Sequence, residues 1–465
     1  MDRRGLRRQQ GSRPRATGDG GALPSRVRPR AGQGRLNARR VATIRLGCIA
    51  DDFTGATDLA GNLVRAGMRV VQAIGVPRGP LEEDVDAVVI ALKSRTIPAD
   101  QAVTQSLAAL AWLRNAGARQ VYFKYCSTFD STPRGNIGPV TEALMEALGT
   151  DFTIACPAFP ENGRTVYKGY LFAGDVPLDE SGMKDHPLTP MNDANLVRVM
   201  QAQSKGRVGL VDYRTVAAGA EAIRARFDAL RREGVSVAIV DAISDADLHR
   251  LGPALAGMPL VTAGSGVAIG LAANWGITPA AQAASLPAPG GFRAVVSGSC
   301  SVATRGQVAA FLAAGGRAFA LDARALSADA SHAEALATTA AASLSQGPVL
   351  VYSTTDPEAV RAVQGQLGVE RAGALVEAAL ARVACHLVER GVRQLVVAGG
   401  ETSGAVVQAL GVDCLRIGQA IDPGVPWCAA RSPVAGGTVH LALKSGNFGS
   451  EDFFLKAFDR LAAFP

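Results

Sequence analysis

Two adjacent carboxylates, Asp51 and Asp52, follow a short apolar run that ends at Ile49. A Thr-Gly turn comes next, and the apolar spacing after it predicts a helix over residues 55–66. Open α/β sheets bind ligands at the carboxyl ends of their strands, which makes acids at this point candidates for contact with a substrate. We expect Asp51 or Asp52 to be catalytic, holding a substrate hydroxyl and accepting its proton. The alternative is that Asp52 or Thr54 only caps the helix.

A second polar cluster lies in residues 123–138, where a predicted strand ends in Lys124. The turn after this strand contains Ser127, Asp130 and further hydroxyl-bearing residues, and Arg134 precedes a predicted helix. Hydroxyls, cations and a helix N-terminus together form an anion-binding arrangement. These four residues are therefore candidates for binding an anionic substrate, although a polar turn on a solvated surface has a similar composition.

Two further cations, Arg164 and Lys168, lie in residues 156–171 after another predicted strand. The longer stretch 157–192 has no clear hydrophobic period, and a loop of this length inside a compact domain is usually functional. We expect the two cations to contact the same anionic substrate. The stretch also contains His186, and a lone histidine is more often a structural hydrogen-bonding residue than a catalyst.

Three Gly/Ser-rich turns in the C-terminal part of the chain each follow a predicted strand. They are VSGSCS at 296–301, VAGGETSG at 397–404 and LKSGNFG at 443–449. The backbone N–H groups of such turns can cradle a polyphosphate, so the three turns together indicate nucleotide binding.

Two familiar nucleotide motifs are absent from the sequence. A Walker A loop requires a Gly-Lys dipeptide, and the chain contains none. The nearest match to the dinucleotide fingerprint, residues 264–270, has its third glycine one place late and no acid about twenty residues further on. Neither a P-loop kinase nor a nicotinamide dehydrogenase is supported.

The elements that position these residues alternate between strand and helix from residue 43 onward, which predicts an α/β fold. We expect two domains, each with a mainly parallel sheet flanked by helices, and an active site in the interdomain cleft. The predicted boundaries are a disordered Arg-rich extension at 1–42, a first domain at 43–277, an Ala/Pro/Gly linker at 278–291 and a second domain at 292–465.

The net charge of +7 comes from the first 40 residues, which hold 12 arginines and two acids. The other 425 residues contain 36 basic and 39 acidic side chains, so nucleic acid is not an expected partner. The seven cysteines form no C-x-x-C pair, which indicates a reduced, cytoplasmic protein. No run is long and apolar enough for a membrane span, and the five histidines show no spacing typical of metal ligands.

The chain resembles the four-carbon acid sugar kinase family, and most closely its members that act on 3-oxo-tetronate. The resemblance covers residues 43–465 and leaves out the Arg-rich extension. It rests on motifs in family order: IADDFTGATD, KYCSTFDSTPRGNIGP, CPAFPENGRTVYKGYL, HPLTP, SGSCS, GGETSG and LKSGNFG. Members that act on threonate or erythronate usually carry K-x-x-D-S-T-x-R-G, whereas here CSTF precedes DSTPRG, which favours the 3-oxo substrate.

The resemblance implies a sugar-acid-binding N-terminal domain, an ATP-binding C-terminal domain and phosphorylation of the C4 hydroxyl. The residues implied to contact ATP are Ser299, Gly399, Gly400, Glu401, Thr402 and Gly446. Asp58 and Arg95 complete the candidate substrate-binding set, and no metal ligand is assigned. Mg²⁺ is expected to accompany ATP, bridging its phosphates largely through water and one carboxylate.

Three other functions stay open from the sequence. They are a threonate or erythronate 4-kinase of the same family, a nicotinamide-dependent sugar-acid oxidoreductase, and a sensor that binds a sugar acid without turnover. The expected partners are the small sugar acid and ATP. The oligomeric state is open, with a homodimer as the candidate assembly.

Overall fold

The computed structural model describes residues 44–81, 84–129, 132–184, 189–329, 331–353, 365 and 368–463. Asp130 and His186 lie outside the described residues, and so does the predicted extension 1–42. Among the helices that are described, each is too short or too polar to cross a membrane.

The N-terminal part of the chain forms a parallel sheet of continuous apolar strands. Its strands are β1 (Leu46–Ala50), β2 (Val70–Ile74), β3 (Ala87–Ala91), β4 (Gln120–Lys124), β5 (Thr153–Cys156), β9 (Arg207–Val211), β10 (Val235–Val240) and β11 (Leu260–Ala263). Every residue of β1 and β3 is buried, as expected where helices cover both faces of a sheet. The order β2-β3-β1-β4-β11-β5-β10-β9 places β1 between β3 and β4.

The C-terminal part continues with a second parallel group and an antiparallel meander. Its strands are β12 (Phe292–Ser297), β13 (Arg317–Ala320), β14 (Val349–Tyr352), β15 (Val392–Ala398), β16 (Cys414–Asp422), β17 (Val425–Ser432) and β18 (Gly437–Lys444). The order is β13-β14-β12-β15-β18-β17-β16, with parallel pairing from β13 to β18. β17 is antiparallel to both of its neighbours.

The two groups of strands share one sheet, which the sequence did not predict. β16 pairs antiparallel with β2 through Cys414–Ala73 and Arg416–Val71, so fifteen of the described strands form a continuous sheet. Because the meander reverses direction twice after this joint, the parallel strands of the C-terminal part run opposite to those of the N-terminal part.

The twist of the sheet determines where the two sets of strand ends lie. Neighbouring strands rotate by about 20–25°, so the five steps from β3 to β15 add roughly 100–125°. A rotation of this size would bring two carboxyl edges, which point in opposite directions on a flat sheet, to within roughly 55–80° of the same direction. An ion pair between Lys93, just after β3, and Glu401, just after β15, joins the two edges directly.

Helices cover the sheet in the pattern that the sequence predicts. In chain order they are α1 (Phe53–Arg65), α2 (Ala99–Asn115), α3 (Ile137–Leu148), α4 (Leu196–Gln203), α5 (Tyr213–Ala217), α6 (Ala220–Arg232), α7 (Asp245–Ala254), α8 (Val302–Ala313), α9 (Ala323–Ala328), α10 (His332–Ala341), α11 (Val369–Glu389), α12 (Gly400–Ala409) and α13 (Phe453–Ala462). The last helix shows why they pack: its buried residues recur at helical spacing and form one apolar face.

Three segments differ from the sequence-based expectation. The sequence pattern predicts one helix over 216–233, but the chain forms two, α5 and α6, separated at Gly219, whose φ of 97° favours glycine. It also predicts a helix over 266–274, where the structure has two short 3₁₀ turns, Gly266–Gly270 and Ala272–Trp275. The stretch 157–192 contains a small antiparallel sheet of β6 (Arg164–Tyr167), β7 (Tyr170–Ala173) and β8 (Val176–Pro177).

The predicted linker, residues 278–291, lies against the C-terminal part of the chain. Nε2 of the buried His440 lies 2.9 Å from the Pro287 carbonyl, and the Gln394 side chain donates to the Gly290 carbonyl at 3.2 Å. Leu286 is buried in the apolar cluster around Trp427. The exact domain boundaries stay a prediction.

Candidate functional site

The carboxyl ends of three neighbouring strands bring together the first group of predicted site residues. Ala50, the last residue of β1, pairs with Ala91 of β3 on one side and Lys124 of β4 on the other. Asp51 follows directly, and its carbonyl accepts hydrogen bonds from the N–H groups of Ser94 and Arg95. The strand register therefore fixes the positions of the acids and of two cations.

The side chains at this point form a compact acid–cation cluster of Asp51, Asp52, Arg95 and Lys124. The Arg95 guanidinium binds both oxygens of Asp51, at 2.9 and 2.7 Å, and also lies 2.5 Å from Asp52 Oδ1. Lys124 Nζ lies 3.3 Å from the same Asp52 oxygen. Four of the predicted site residues are thus in direct contact.

The two aspartates have different surroundings. Burial raises the pKa of Asp51 above its ordinary value, and the Arg95 charge opposes this shift. Burial also acts on Asp52, but the charges of Lys124 and Arg95 outweigh it and hold the pKa of Asp52 well below its usual range. The Asp52 side chain is 25% exposed and that of Asp51 is 9% exposed. Asp52 is therefore the ionised carboxylate that a ligand can reach.

Asp52 stands at the N-cap position of α1, and the Gly55 N–H in the first turn helps to lower the pKa of its carboxylate. The carboxylate also contacts Lys124 and Arg95 and accepts a 3.0 Å hydrogen bond from the Thr54 hydroxyl. A purely capping role, the alternative that the sequence left open, does not describe this side chain.

Gly55 leaves the space that the cluster occupies. A Cβ atom at this position would overlap Lys124 Nζ and Asp52 Oδ1. The glycine of the A-D-D-F-T-G motif is thus required by the contact between Lys124 and Asp52.

Asn136 positions Arg95, a role that the sequence did not reveal. Its buried side-chain amide donates to the carbonyls of Ser94, Arg95 and Ile97, at 2.8, 3.1 and 2.9 Å. These bonds hold the loop that carries Arg95 against the start of α3. The only sequence signal was the position of Asn136 within the R-G-N-I-G motif.

Three other substrate-binding candidates lie in the segments that follow β4 and β5. Ser127 is half-buried in the turn after β4, and Arg134 is exposed in the turn before α3. Arg164, at the start of β6, donates from Nη1 to the Asn162 carbonyl at 2.8 Å, while its buried Nε has no hydrogen-bond partner.

Asp58 and Lys168 lie apart from the cluster. Asp58 is buried in α1, where it accepts a hydrogen bond from Ser265 and faces the turn at Gly424. Burial raises the pKa of Asp58 despite the Ser265 hydrogen bond. Lys168 is exposed at the tip of the β6–β7 hairpin, and its N–H binds Asp241 at the end of β10. Four strand spacings, about 19 Å, separate β10 from β1, so Lys168 is not brought into the cluster.

A cavity of about 840 Å³ lies at the carboxyl ends of the C-terminal parallel strands. All six residues implied to contact ATP line it, namely Ser299, Gly399, Gly400, Glu401, Thr402 and Gly446. Further lining residues that the sequence did not indicate include Asp322, Arg324, Ser353 and Glu377. The volume lies within the range of ordinary small-molecule sites.

Several glycines of this cavity lie where the backbone of one turn comes close to a side chain of another. A Cβ atom on Gly446 would overlap the Ser299 hydroxyl, and one on Gly298 would overlap the Thr402 hydroxyl. Gly399 has φ of 121°, a conformation that side-chain-bearing residues rarely adopt. Only glycines at these points allow the three turns to converge.

A helix N-terminus completes the cavity wall. Ser301 is the N-cap of α8 and its hydroxyl accepts the N–H of Thr304. The same hydroxyl donates to the Gly446 carbonyl at 2.5 Å, which joins this helix to the turn after β18. Backbone N–H groups at such a helix start favour anionic ligands.

Comparison with known proteins places the chain in a family. It is 59% identical over 423 residues to a 3-oxo-tetronate kinase of Pseudomonas fluorescens, covering 90% of this chain and 97% of that protein. A 3-oxo-tetronate kinase of Cupriavidus necator is also 59% identical, over 425 residues, with the same coverage. The chain belongs to the four-carbon acid sugar kinase family.

Two domain models and a solved structure agree with this membership. Residues 46–271 match the sugar-binding N-terminal domain, and residues 294–454 match the nucleotide-binding C-terminal domain. A crystal structure of a Salmonella typhimurium LT2 protein, described as a candidate tRNA synthase, is 48% identical with a TM-score of 0.82. That alignment covers 89% of this four-carbon acid sugar kinase family member and 98% of the Salmonella chain.

Proposed function

We propose that this protein is an ATP-dependent kinase that phosphorylates the C4 hydroxyl of 3-oxo-tetronate. The observation that carries the proposal is the contact between Lys93 and Glu401, because it joins the acid–cation cluster's edge to the glycine-lined cavity. A phosphoryl acceptor at one edge and a donor at the other would then meet. The identity of 59% to 3-oxo-tetronate kinases supports the choice of acceptor.

Asp52 is the residue that we assign to the attacking hydroxyl. Its carboxylate is ionised and partly exposed, so it can accept a hydrogen bond from the hydroxyl and hold it toward the phosphate. Because Lys124 and Arg95 lower its pKa, it takes the proton late, when the C4 oxygen bonds to phosphorus and its proton becomes acidic. As the C4 oxygen forms its bond to the γ-phosphorus, the bond from that phosphorus to the bridging oxygen breaks and ADP leaves. Asp51 holds Arg95 in place through its two-point contact.

Arg164 and Arg134 are the cations that we assign to the substrate carboxylate. The buried Nε of Arg164 has no partner, and a planar guanidinium matches a carboxylate with two parallel hydrogen bonds. Arg134 is exposed in the turn beside the cluster. Lys124 and Arg95 are already paired with the aspartates, so their charges serve to keep Asp52 ionised and to offset phosphate charge.

The C-terminal part is assigned to ATP, which would enter as its magnesium complex. The glycine turns and the α8 N-terminus offer backbone N–H groups to the phosphates. Among the described residues, no group of three His, Cys, Asp or Glu side chains forms a resident metal site. The Mg²⁺ that accompanies ATP would then be held mainly by phosphate oxygens and water.

The test is an ADP-release assay with ATP and a panel of four-carbon acids. We expect the highest kcat/KM with 3-oxo-tetronate, with threonate and erythronate well below it. A preference for threonate or erythronate would show that the protein is a 4-kinase for one of those acids. A nicotinamide-dependent absorbance change without ATP would show that it is an oxidoreductase. Tight binding of an acid without ADP release would indicate a sensor.

A further inference from the structure

Lys444 is a buried cation within the LKSGNFG motif beside the nucleotide cavity, and the proposed reaction gives it no role. It is the last residue of β18, and its exposed fraction is 0%. The next two residues, Ser445 and Gly446, form the turn that reaches the cavity wall.

The ammonium group of Lys444 meets only neutral oxygens. Its Nζ donates to the Thr304 hydroxyl at 3.0 Å and to the carbonyls of Ser445 and Gly446, both at 3.1 Å. None of the ion pairs in the described part of the chain includes Lys444. Burial lowers the pKa of Lys444 from 10.5 to about 8, with no neighbouring charge to offset the effect.

A buried charge without a counter-charge is unfavourable, and an anionic ligand nearby would offset that cost. Gly446, whose carbonyl accepts a hydrogen bond from Lys444 Nζ, lines the cavity that the proposed function assigns to ATP. We propose that Lys444 is a positioning residue for the nucleotide, which shapes the 445–447 turn and whose positive charge the phosphates neutralise. This inference rests on the proposed function for the identity of the anion.

The Gly446 carbonyl shows how the positioning works. It accepts hydrogen bonds from the hydroxyls of Ser301 and Thr304 and from Lys444 Nζ. Because the C=O and N–H of a trans peptide point in opposite directions, the N–H of Asn447 faces away from these three donors. Lys444 thus fixes the orientation of a peptide N–H in the turn that lines the cavity.

Because Lys444 can lose its charge, the affinity for ATP should depend on pH. The groups that the structure places against Nζ are the α8 hydroxyl and the two turn carbonyls, and none of them titrates. Below about pH 8 the side chain is charged, and bound phosphate raises its pKa. ATP binding should therefore weaken as the pH rises through 8. Phosphate groups with a pKa near 6 keep a constant charge over that range.

Isothermal titration calorimetry with MgATP, without any sugar acid, tests this inference on the full chain. Lys444→Met should raise the Kd of ATP by about 10- to 100-fold at pH 7, the scale of a lost charge-assisted contact. The wild-type Kd should rise between pH 7 and 9.5, and that of Lys444→Met should stay flat. Lys205→Met, at an exposed lysine, is the matched control and should behave as wild type.

Unchanged ATP affinity and an unchanged pH profile in Lys444→Met would overturn the inference. If this variant does not fold, a wild-type Kd that is independent of pH between 7 and 9.5 overturns it equally. Wild-type protein that phosphorylates a four-carbon acid while Lys444→Met binds ATP normally contradicts only this inference. Wild-type protein that binds ATP with the expected pH profile, but phosphorylates no acid, contradicts only the proposed function.

Discussion

Among single residues, the neighbouring Asp51 and Asp52 differ in burial and in their contacts, and this difference decides which of them we assign to the hydroxyl. The sequence predicted that one of Asp51 and Asp52 handles the hydroxyl, but spacing alone could not separate them. Their hydrogen-bond partners separate them. Asp51 accepts two hydrogen bonds from Arg95, whereas Asp52 is less buried and contacts both Arg95 and Lys124. Arg95 lies 43 residues from Asp52 in the sequence, so no local pattern reveals the contact.

Asp52→Asn should lower kcat by about 100-fold or more while the fold stays intact, because the amide cannot accept the hydroxyl proton. Steady-state ADP release measures the rate, and circular dichroism and thermal unfolding report the fold. Asp151→Asn, at an exposed aspartate paired with Arg231, is the control and should keep the wild-type rate. A near-normal rate in Asp52→Asn would remove Asp52 from the catalytic role.

Gly55→Ala should abolish most turnover, because the new methyl group overlaps Lys124 Nζ and Asp52 Oδ1. Gly61→Ala in the same helix is the matched control, since its nearest neighbour would lie 3.9 Å away. That control should keep its activity and gain up to about 1 kcal/mol in the free energy of unfolding. Equal activity in the two variants would show that the Lys124–Asp52 contact is not needed.

At the scale of elements, both parts of the sheet use the same local strand order. The order is β2-β3-β1-β4 in the first part and β13-β14-β12-β15 in the second. β1 lies between β3 and β4, and β12 lies between β14 and β15, so the strand order changes direction next to each of these first strands. Open α/β sheets bind ligands at such a point. Asp51 after β1 and Ser299 after β12 thus occupy equivalent positions, although the sequence shows no internal repeat.

The strands that the sequence predicted well are the short, continuously apolar ones of the parallel groups, since burial on both faces leaves an unbroken hydrophobic run. The hairpin of β6 and β7 was missed because its short strands mix polar and aromatic residues, as in RTVY and YLFA. The antiparallel joint of β16 with β2 was missed for another reason. It pairs residues more than 340 positions apart, and propensity carries no information about such pairing.

Asn136→Ala should raise the KM for the sugar acid and lower the free energy of unfolding by about 1–3 kcal/mol, because three buried carbonyls lose a donor. Asn274→Ala is a suitable control, since Asn274 donates a single hydrogen bond, to the Gly252 carbonyl. It should cost less stability and leave KM unchanged. An Asn136→Ala variant with wild-type KM would show that the Arg95 loop needs no such support.

At the level of the whole molecule, the antiparallel joint of β16 with β2 connects the two parallel groups whose carboxyl ends carry the two proposed sites. Lys93 and Glu401 make the direct contact between those edges, at 2.9 Å. Their side chains are 88% and 66% exposed, so the pair adds little to stability. We propose that the pair matters for function instead, because it links the edge that carries the proposed acceptor site to the cavity proposed for ATP.

Lys93→Glu should lower sugar-dependent turnover by about tenfold, since a repulsion between like charges then opposes the approach of the two edges. The Kd of ATP and the thermal midpoint should stay near wild type. The double variant Lys93→Glu with Glu401→Lys should restore much of the rate, because it restores the ion pair. Arg231→Glu, which breaks a similarly exposed pair, is the control and should be active. No recovery in the double variant would contradict the role of the contact.

Transfer of the γ-phosphoryl group of ATP to the C4 hydroxyl of 3-oxo-tetronate can be followed directly by ³¹P nuclear magnetic resonance. Wild-type protein, MgATP and 3-oxo-tetronate should yield ADP and one new phosphomonoester in equal amounts. Its proton-coupled signal should be a triplet, because C4 carries two hydrogens. Formation of ADP with only inorganic phosphate, or no consumption of ATP at all, would contradict the account.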